Sequence, residues 1–255
     1  MIKIEKTEVL GWEHAIRGMR NPMNSWEKSD STMYSHVLKS EEVSPGVERT
    51  YWEPCVPYMN VGEKDYELML KLANGGPVHA KYRRMITVYV DITAPLYWWK
   101  EFDTYKVGTV ANSCSTMHKI HEKEFTLDDF SCEHLYTGFE EPDSHSCIYV
   151  PHESGEIDND SIMYPMDVLM CTIDILNVCR EKFLETKDKK YWWQMIQLLP
   201  SSYNQKRTVM LNYEVLVGIY KWRKEHKLDE WREFCKWIEL LPYSEIITGK
   251  VEEDA

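Results

Sequence analysis

Hydrophobic residues recur along this chain with two periods, one typical of strands and one typical of helices. Residues 85–92 alternate, with Ile86, Val88, Val90 and Ile92 in one register. This period of two predicts a strand, and residues 4–10 predict another. Apolar residues at helical spacing predict helices along much of the remaining chain. Their ranges are 11–19, 64–73, 162–187, 191–199, 207–224 and 228–240.

Turn residues and composition between these elements set the fold class. Pro95 is expected to open a further helix, because its fixed φ suits the first helical position. Residues 40–57 are predicted to be irregular around the Pro45-Gly46 turn. Residues 137–160 are predicted to form an exposed acidic loop or insertion. Few strands and a helical C-terminal half predict an α+β fold in a single domain over residues 1–255.

Five positions of the longest predicted helix are expected to face inward. They are Met166, Leu169, Met170, Ile173 and Leu176. With 43% hydrophobic residues overall, the chain can build a sizeable core around such helices.

The charge balance and the apolar runs exclude some classes of function. A net charge of −12 disfavours non-specific binding to nucleic acid, which needs a basic surface. No apolar run approaches the roughly 20 residues that span a bilayer. The N-terminal residues lack the apolar core of a signal peptide. We therefore expect a cytoplasmic protein with neither nucleic acid nor membrane as its partner.

The seven cysteines give no clear metal or disulfide pattern. Cys171 and Cys179 lie in the apolar helical pattern and are expected to be small core residues. A disulfide framework is not expected in a chain of this length. An alternative zinc set lacks the usual finger spacing, so no metal is expected. That set is Cys132, His134, His145 and Cys147.

Residues 95–117 join an apolar helical stretch to a segment dense in hydroxyl groups, an amide and a thiol. The whole stretch resembles, without gaps, the signature region of the flavin-dependent thymidylate synthases. In that family an Arg-His-Arg-x-x-Ser motif clamps the flavin. Thr104, Tyr105 and Lys106 stand at the triplet, and Thr109 stands at the serine. Only Lys106 keeps a positive charge, and a lysine meets a phosphate without the two-pronged fork of arginine.

The nucleotide-binding stretch that follows in the family aligns here in two registers. One register places Asn112 at the family asparagine and Ser115 at the family serine, and the other is shifted by one residue. Both registers replace the family arginine, by Thr116 or by Met117. Cys114 is expected to line the pocket. A nucleophilic role for this thiol is the alternative, although the flavin-dependent reaction does not need one.

Two further stretches resemble the family. His79 lies sixteen residues before Pro95, where the family has a histidine, and Lys81 replaces the family threonine. Farther along, Asn212 and Arg223 keep the family spacing of eleven residues. On one helix, eleven residues make three turns and place both side chains on one face. Flavin-binding residues of the family are replaced on this helix, and Arg207 or Lys206 is a candidate to compensate.

The resemblance implies a central antiparallel sheet with helices, in a homotetramer whose active sites are shared between subunits. It implies reductive methylation of dUMP to dTMP, with FAD, NADPH and methylenetetrahydrofolate. The residues that it assigns to the flavin are His79, Lys81, Lys106, Thr109 and Asn212. Those that it assigns to the nucleotide are Asn112, Cys114, Ser115, Arg207 and Arg223. Arg223 would stabilise negative charge on the activated pyrimidine ring.

The replaced arginines leave two alternatives open. Each lost charge-assisted hydrogen bond removes about 1.5–3 kcal/mol of binding. The site is therefore also compatible with another pyrimidine nucleotide. A different class of function is a non-catalytic oligomer that keeps the fold and binds a nucleotide.

Overall fold

A computed structural model describes residues 1–137, 147–150 and 162–249 of the chain. Within these residues the strands are β1 (Lys3–Leu10), β2 (Thr32–Ser44), β3 (Val47–Asn60), β4 (Thr87–Pro95), β5 (Val110–Ser113), β6 (Ile148–Tyr149), β7 (Ile162–Met163) and β8 (Asn204–Asn212). The helices are α1 (Trp12–Arg20), α2 (Glu63–Asn74), α3 (Leu96–Phe102), α4 (Pro165–Thr186), α5 (Lys189–Leu198), α6 (Tyr213–Arg223), α7 (Asp229–Glu239) and α8 (Glu245–Thr248).

The strands form one larger sheet and two hairpins. The four-stranded sheet has the order β1-β4-β8-β5. β2 pairs antiparallel with β3, and β6 pairs antiparallel with β7. Antiparallel sheets combined with helices confirm the predicted α+β class.

The chain divides into two compact units. The first unit comprises Met1–Glu5, Asp91–Thr104 and Ala111–Thr208, and the second comprises Lys6–Val90, Tyr105–Val110 and Val209–Ala255. The single domain over residues 1–255 stays a prediction. The acidic loop expected over residues 137–160 lies almost entirely outside the described residues, as does His145 of the alternative zinc set.

The first unit has an aromatic and aliphatic core. Trp98, Trp99 and Phe102 of α3 are buried and pack against one another, with ring centroids 4.8–5.3 Å apart. A second cluster joins α4 and α5 to the segments that precede them. Its buried members are Ile120, Phe125, Phe130, Leu169, Ile173, Leu176 and Met195. The inward face predicted for this helix is therefore confirmed for Leu169, Ile173 and Leu176, while Met170 is 43% exposed.

The core of the second unit is built around a buried tryptophan. Trp12 makes edge contacts with Tyr213 at 5.4 Å and with Tyr243 at 5.1 Å between ring centroids. The Tyr213 hydroxyl donates to the carbonyl of Pro242 at 2.7 Å. Burial raises the pKa of the Cys235 thiol to about 12, so this thiol stays protonated as a core residue.

The predictions for residues 40–57 and for Cys171 are wrong. Residues 40–57, predicted to be irregular, belong to the long β2–β3 hairpin, with Pro45 and Gly46 at its turn. Nearly all of its residues are exposed, so neither face shows the burial period that reveals a strand in sequence. Cys171, predicted to be a core residue, is exposed, whereas Cys179 packs partly buried against the first-unit core.

The predicted helix over residues 207–224 is a strand followed by a helix. β8 runs to Asn212, and α6 starts at Tyr213. The Asn212 side chain accepts a hydrogen bond from the backbone of Val215 and so caps α6. Val209 and Leu211 are buried in β8, at a spacing of two. Asn212 and Arg223 therefore lie at the two ends of α6 and do not share one face of a longer helix.

Candidate functional site

In the second unit, the segment Tyr105–Val110 contacts both ends of α6, and we call it the signature segment. Arg223, at the C-terminal end, donates from Nε to the Tyr105 hydroxyl at 2.9 Å. Its guanidinium also lies 4.6 Å from the Trp231 ring centroid and 5.8 Å from that of Tyr105. Cation–π contacts of this kind hold a guanidinium in one orientation. Tyr105 is the central residue of Thr104-Tyr105-Lys106, which stands at the family triplet. Arg223, which the resemblance also selected, therefore contacts the signature segment at Tyr105.

The same segment meets the N-terminal end of α6 at Gly108. Gly108 has a φ of +79°, and a Cβ at this position would lie 2.9 Å from Asn212 Nδ2. Only glycine allows both this backbone conformation and this close approach. Because the Asn212 carbonyl oxygen already caps α6 at 3.1 Å, its amide NH₂ is the group that remains to face a ligand.

Two other predicted residues of this segment differ in burial. Lys106 is exposed. The Thr109 hydroxyl is buried and has no hydrogen-bond partner in the part of the chain that the structure describes. A buried hydroxyl without a partner is uncommon in proteins, so Thr109 is a polar group that a ligand could satisfy.

In the first unit, Arg207 is engaged by protein groups. Its guanidinium donates from Nη1 to Asp103 Oδ1 at 2.7 Å and from Nε to Gln205 Oε1 at 3.0 Å. It also stacks 4.2 Å from the Trp99 ring centroid. Gln205 in turn donates from Nε2 to the carbonyl of Cys114 at 2.9 Å. Gln205 thus connects two predicted site residues, Arg207 and Cys114.

The remaining first-unit candidates lie in β5 and in the segment that directly follows it, beside Gln205 and Arg207. Asn112, Cys114 and Ser115 are all exposed. The backbone N–H of Cys114 donates to the carbonyl of Lys206 at 2.9 Å and extends the pairing of β5 with β8. The Ser115 hydroxyl accepts from the backbone of His118 at 2.8 Å and closes the turn.

His79 and Lys81 line a cleft of about 830 Å³ in the second unit, here called the basic cleft. Three more lysines line this cleft, Lys28, Lys64 and Lys71, and Glu67 is the one carboxylate among its lining residues. All four lysines are exposed. Within the described residues none of them forms an ion pair. In a chain of net charge −12, this is a local concentration of positive charge.

Two arginines near these residues are already paired with carboxylates. Arg20 lines the basic cleft, but its Nε donates to Asp65 Oδ1 at 2.6 Å in a fully buried pair. Burial acts to raise the pKa of Asp65, but hydrogen bonds from Ser29, Ser31 and Arg20 outweigh it and lower that pKa. Arg83 is buried beside Glu214, with a nitrogen–oxygen distance of 3.2 Å. Both arginines serve the fold of the second unit.

The structure thus groups the predicted residues in three places. Thr109, Asn212 and Arg223 lie along the contact between the signature segment and α6. Arg207 and Cys114 share Gln205, and His79 and Lys81 line the basic cleft. The sequence predictions missed Tyr105 and Trp231 as partners of Arg223. They also missed Lys64 and Lys71, whose spacing of seven residues on one predicted helix was the available signal.

The described residues contain neither a metal-binding cluster nor a membrane-spanning helix. No cluster of three or more histidine, cysteine, aspartate or glutamate side chains there could hold a metal ion. No helix among them is both long enough and apolar enough to cross a membrane.

Comparison with known proteins gives a fold and no sequence family. The sequence matches no protein-family model and no curated protein. In structure, the chain resembles thymidylate synthase X (ThyX) of Helicobacter pylori, solved with FAD and dUMP, at a TM-score of 0.56 and 14% identity over 97% of each chain. It also resembles the UMP/dUMP methylase PolB of Streptomyces cacaoi, solved with 5-Br dUMP, at a TM-score of 0.52 and 12% identity over 98% of this chain and 95% of that one. The chain therefore has a ThyX-like fold.

Proposed function

We propose that this protein is a ThyX-like enzyme that methylates a pyrimidine nucleotide, with dUMP converted to dTMP. The observation that carries the proposal is the contact of the signature segment with both ends of α6. Tyr105 orients Arg223, and Gly108 packs on Asn212. Three of the positions that the sequence resemblance selected for this chemistry, Thr109, Asn212 and Arg223, lie along this contact. A shared fold alone would not require that grouping.

Arg223 is assigned to the pyrimidine edge. Its guanidinium lies against the rings of Tyr105 and Trp231, so little rotational freedom is lost when a ligand binds. A cation fixed in advance stabilises negative charge that develops on the ring as it is activated. We assign this charge-stabilising role to Arg223, and the nucleotide contacts to Asn112, Cys114, Ser115 and Arg207.

The polar groups of the second unit fit a dinucleotide cofactor such as FAD. Among the described residues, the buried Thr109 hydroxyl has no hydrogen-bond partner and the lysines of the basic cleft have no carboxylate partner. Thr109, Asn212 and His79 would hold the flavin, and Lys81 and Lys106 would meet phosphates. When bound, FAD supplies the hydride, with the electrons drawn from NADPH and the carbon from methylenetetrahydrofolate.

A second candidate substrate is UMP. The structural neighbour PolB is described as acting on both UMP and dUMP, and its TM-score of 0.52 is close to the 0.56 of ThyX. The replaced family arginine, at Thr116 or Met117, is a further reason to test both nucleotides. We therefore place dUMP first and keep UMP, or another pyrimidine nucleotide, as the alternative.

A visible absorbance spectrum of the purified protein, before and after addition of FAD, tests the cofactor. We expect bound-flavin bands in the near-ultraviolet and the blue. Methylation of dUMP and of UMP is then assayed with methylenetetrahydrofolate and NADPH. Absence of FAD binding on titration would contradict the flavoenzyme and leave the non-catalytic nucleotide-binding oligomer.

The variant Arg223→Ala tests the assigned role of the guanidinium. We expect loss of nucleotide binding or turnover while the far-ultraviolet circular dichroism stays that of the parent. Lys236→Ala is the control, because Lys236 is an exposed residue of α7 whose ion pair is with Glu233 of the same helix. Unchanged kinetics in Arg223→Ala would remove this residue from the site. Light scattering tests the proposed homotetramer, which requires four times the chain mass of 30.3 kDa.

A further inference from the structure

Gln205 attaches the end of β5 to β8 in the first unit. It lies in β8 and is 7% exposed. Its Nε2 donates to the carbonyl of Cys114 at 2.9 Å, and its Oε1 accepts from Nε of Arg207 at 3.0 Å. Residues 112–115, to which we assign nucleotide contacts, are here called the substrate segment. Gln205 therefore holds the substrate segment at a point where β5 has already ended.

The two partners of the Gln205 amide determine which of its ends faces which group. A guanidinium nitrogen only donates hydrogen bonds, and a backbone carbonyl only accepts them. The amide oxygen must therefore face Arg207, and the amide nitrogen must face Cys114. At neutral pH, glutamine is the side chain of this length that offers one acceptor and one donor together. A glutamate here would turn a second acceptor toward the carbonyl of Cys114.

Neighbouring side chains fix both Gln205 and its partner Arg207. Trp99 is 1% exposed and donates from its indole nitrogen to the backbone carbonyl of Gln205 at 2.9 Å. The same ring lies 4.2 Å from the guanidinium of Arg207, and Asp103 accepts from that guanidinium at 2.7 Å. A buried side chain that is hydrogen-bonded at both ends is held rigidly. The amide nitrogen is therefore presented to Cys114 in one position.

The substrate segment has few other attachments beyond the end of β5. The backbone N–H of Cys114 donates to the carbonyl of Lys206 at 2.9 Å. In the described part of the chain, the next hydrogen bond from another element reaches the carbonyl of Met117, from the indole nitrogen of Trp192 at 2.9 Å. The carbonyl of Cys114 is thus the last fixed group before Ser115, and the direction of the exposed residues depends on it.

We infer that Gln205 is a positioning residue for the pyrimidine nucleotide, which holds the substrate segment in place and takes no part in the reaction. This role rests on the proposed function, because that function makes the nucleotide the ligand of the segment. Polar groups that are fixed before binding lose less entropy when the ligand arrives. Gln205 therefore contributes to nucleotide affinity. FAD is assigned to residues of the second unit, and its affinity should not depend on Gln205.

The variant Gln205→Glu separates the two hydrogen bonds of the side chain. The carboxylate still accepts from Arg207 but repels the carbonyl of Cys114. We expect dUMP binding, measured by calorimetric titration of the full chain, to weaken about tenfold. FAD affinity, read from the flavin absorbance, should stay within about a factor of two. In turnover we expect a higher KM for dUMP with little change in kcat, because the segment binds substrate and transition state alike.

Two further variants separate positioning from charge. Gln205→Met keeps the length of the side chain, removes both hydrogen bonds and adds no negative charge that could repel a phosphate. We expect it also to weaken dUMP binding about tenfold. Gln197→Glu is the matched control, because it makes the same change at an exposed position of α5. We expect the affinity of this control to equal that of the parent, with circular dichroism showing that all three variants fold.

The Cys114 thiol reports on the substrate segment without turnover. Alkylation by iodoacetamide is followed by mass-spectrometric peptide mapping, at saturating dUMP and without it. We expect dUMP to slow alkylation of Cys114 several-fold in the parent and less in both Gln205 variants. Cys171 is the internal reference, because it is the other exposed cysteine among the described ones and lies on α4.

The possible failures of this role and of the proposed function differ. Parent-like dUMP affinity in both Gln205 variants, or weaker binding in Gln205→Glu alone, would overturn the positioning role and leave the proposed function standing. An equal loss of FAD affinity would overturn it too. A parent that binds dUMP but methylates no pyrimidine nucleotide would overturn the proposed reaction and leave the positioning role. A parent that binds no pyrimidine nucleotide would overturn both.

Discussion

The positive charge of Arg207 is paired with protein groups, whereas that of the lysines in the basic cleft is not, among the described residues. Arg207 is held by Asp103, by Gln205 and by the ring of Trp99, so protein groups of the first unit fix the position of its guanidinium and pair its charge. The lysines of the basic cleft have no carboxylate partner among the described residues, and their side chains reach solvent. Free positive charge in this protein therefore has to be located through contacts, since the number of basic residues does not reveal it.

The difference between arginine and lysine side chains explains why Arg207 is paired and the lysines of the cleft are not. A guanidinium offers five donors in a planar fork and fits several fixed acceptors at once, so it suits a structural junction. An ammonium on a flexible stem can meet a phosphate as a point charge from several positions. Arg20 shows the distinction inside the cleft itself, because Asp65 neutralises it while its lysine neighbours stay free.

The largest expected effect comes from releasing Arg20 from its partner. In Asp65→Asn the buried guanidinium loses its carboxylate, and we expect the free energy of unfolding to fall by about 3–5 kcal/mol. Urea denaturation measures this change. The control Glu233→Gln breaks the exposed Glu233–Lys236 pair, where we expect less than about 1 kcal/mol. Equal effects of the two substitutions would contradict the structural role of Asp65.

The same carboxylate should give the protein a distinct acid dependence. Because the pKa of Asp65 is lowered from its ordinary value of 3.8, the ionised form stabilises the folded state. That contribution is fully present above the ordinary pKa and is lost as the pH falls through the lower folded-state pKa. We expect urea midpoints measured from pH 6 downward to decline less steeply in Asp65→Asn than in the parent at the acidic end.

Removing two lysines of the cleft tests whether it holds an anionic ligand. The double variant Lys64→Ala, Lys71→Ala loses two cations from one face of α2, and we expect FAD affinity to fall about tenfold to a hundredfold. Calorimetric titration at low and high salt measures the affinity, and the parent should show the steeper salt dependence. The control Lys224→Ala, Lys227→Ala removes the same charge from exposed positions outside the cleft. Similar losses in both double variants would indicate a general effect of net charge.

A smaller effect is expected where the signature segment meets α6. Gly108→Ala and Gly46→Ala both place a side chain at positive φ, +79° and +80°. Only the first also brings a Cβ within 2.9 Å of Asn212, whereas nothing lies within 4 Å at Gly46. We expect Gly108→Ala to destabilise the protein by about 1 kcal/mol more than the control, through disturbance of the Asn212 cap. Equal unfolding free energies would show that this contact is loose.

The smallest effect on stability is expected from the ion pair of Arg207 with Asp103 in the first unit. Asp103→Asn weakens one charged contact of Arg207, and the Asp103 side chain is 52% exposed. Solvent screens such a pair, so we expect a loss of less than about 1 kcal/mol in thermal or urea unfolding. FAD affinity should stay within a factor of two. A large loss of FAD affinity here, with the cleft lysines unimportant, would reverse the contrast between the two regions.

The local sequence was sufficient to predict an element where residues close together in the chain are buried on the same side of that element. The helices around Trp12, Met69, Trp98, Leu176 and Trp231 were predicted within a few residues of their bounds, because one side of each packs against the protein. The β2–β3 hairpin failed for the opposite reason. Its strands are held by pairing with each other, as between Leu38 and Trp52, and such pairing leaves no periodic pattern when both faces are exposed.

The spacing of residues in the sequence identified the candidate site residues. It did not identify the residues that they contact in the structure. The sequence selected Arg223 and Asn212, yet placed both on one helix. The junction of β8 with α6 follows from a cap at Asn212 and from backbone pairing of Tyr213 with Ile86. A residue of high strand propensity, such as Val209, fits either element until its neighbours in space are known.

The sequence by itself determined the α+β class, most helices and the stretches that resemble a flavin-dependent family, because period and spacing are properties of nearby residues. Only the tertiary structure decided which charges are free. It paired Arg20 with Asp65 and Arg83 with Glu214, and it gave the lysines of the basic cleft no carboxylate partner in the described part of the chain. Burial and hydrogen bonding set the state of each charge, and both depend on residues far apart in the chain.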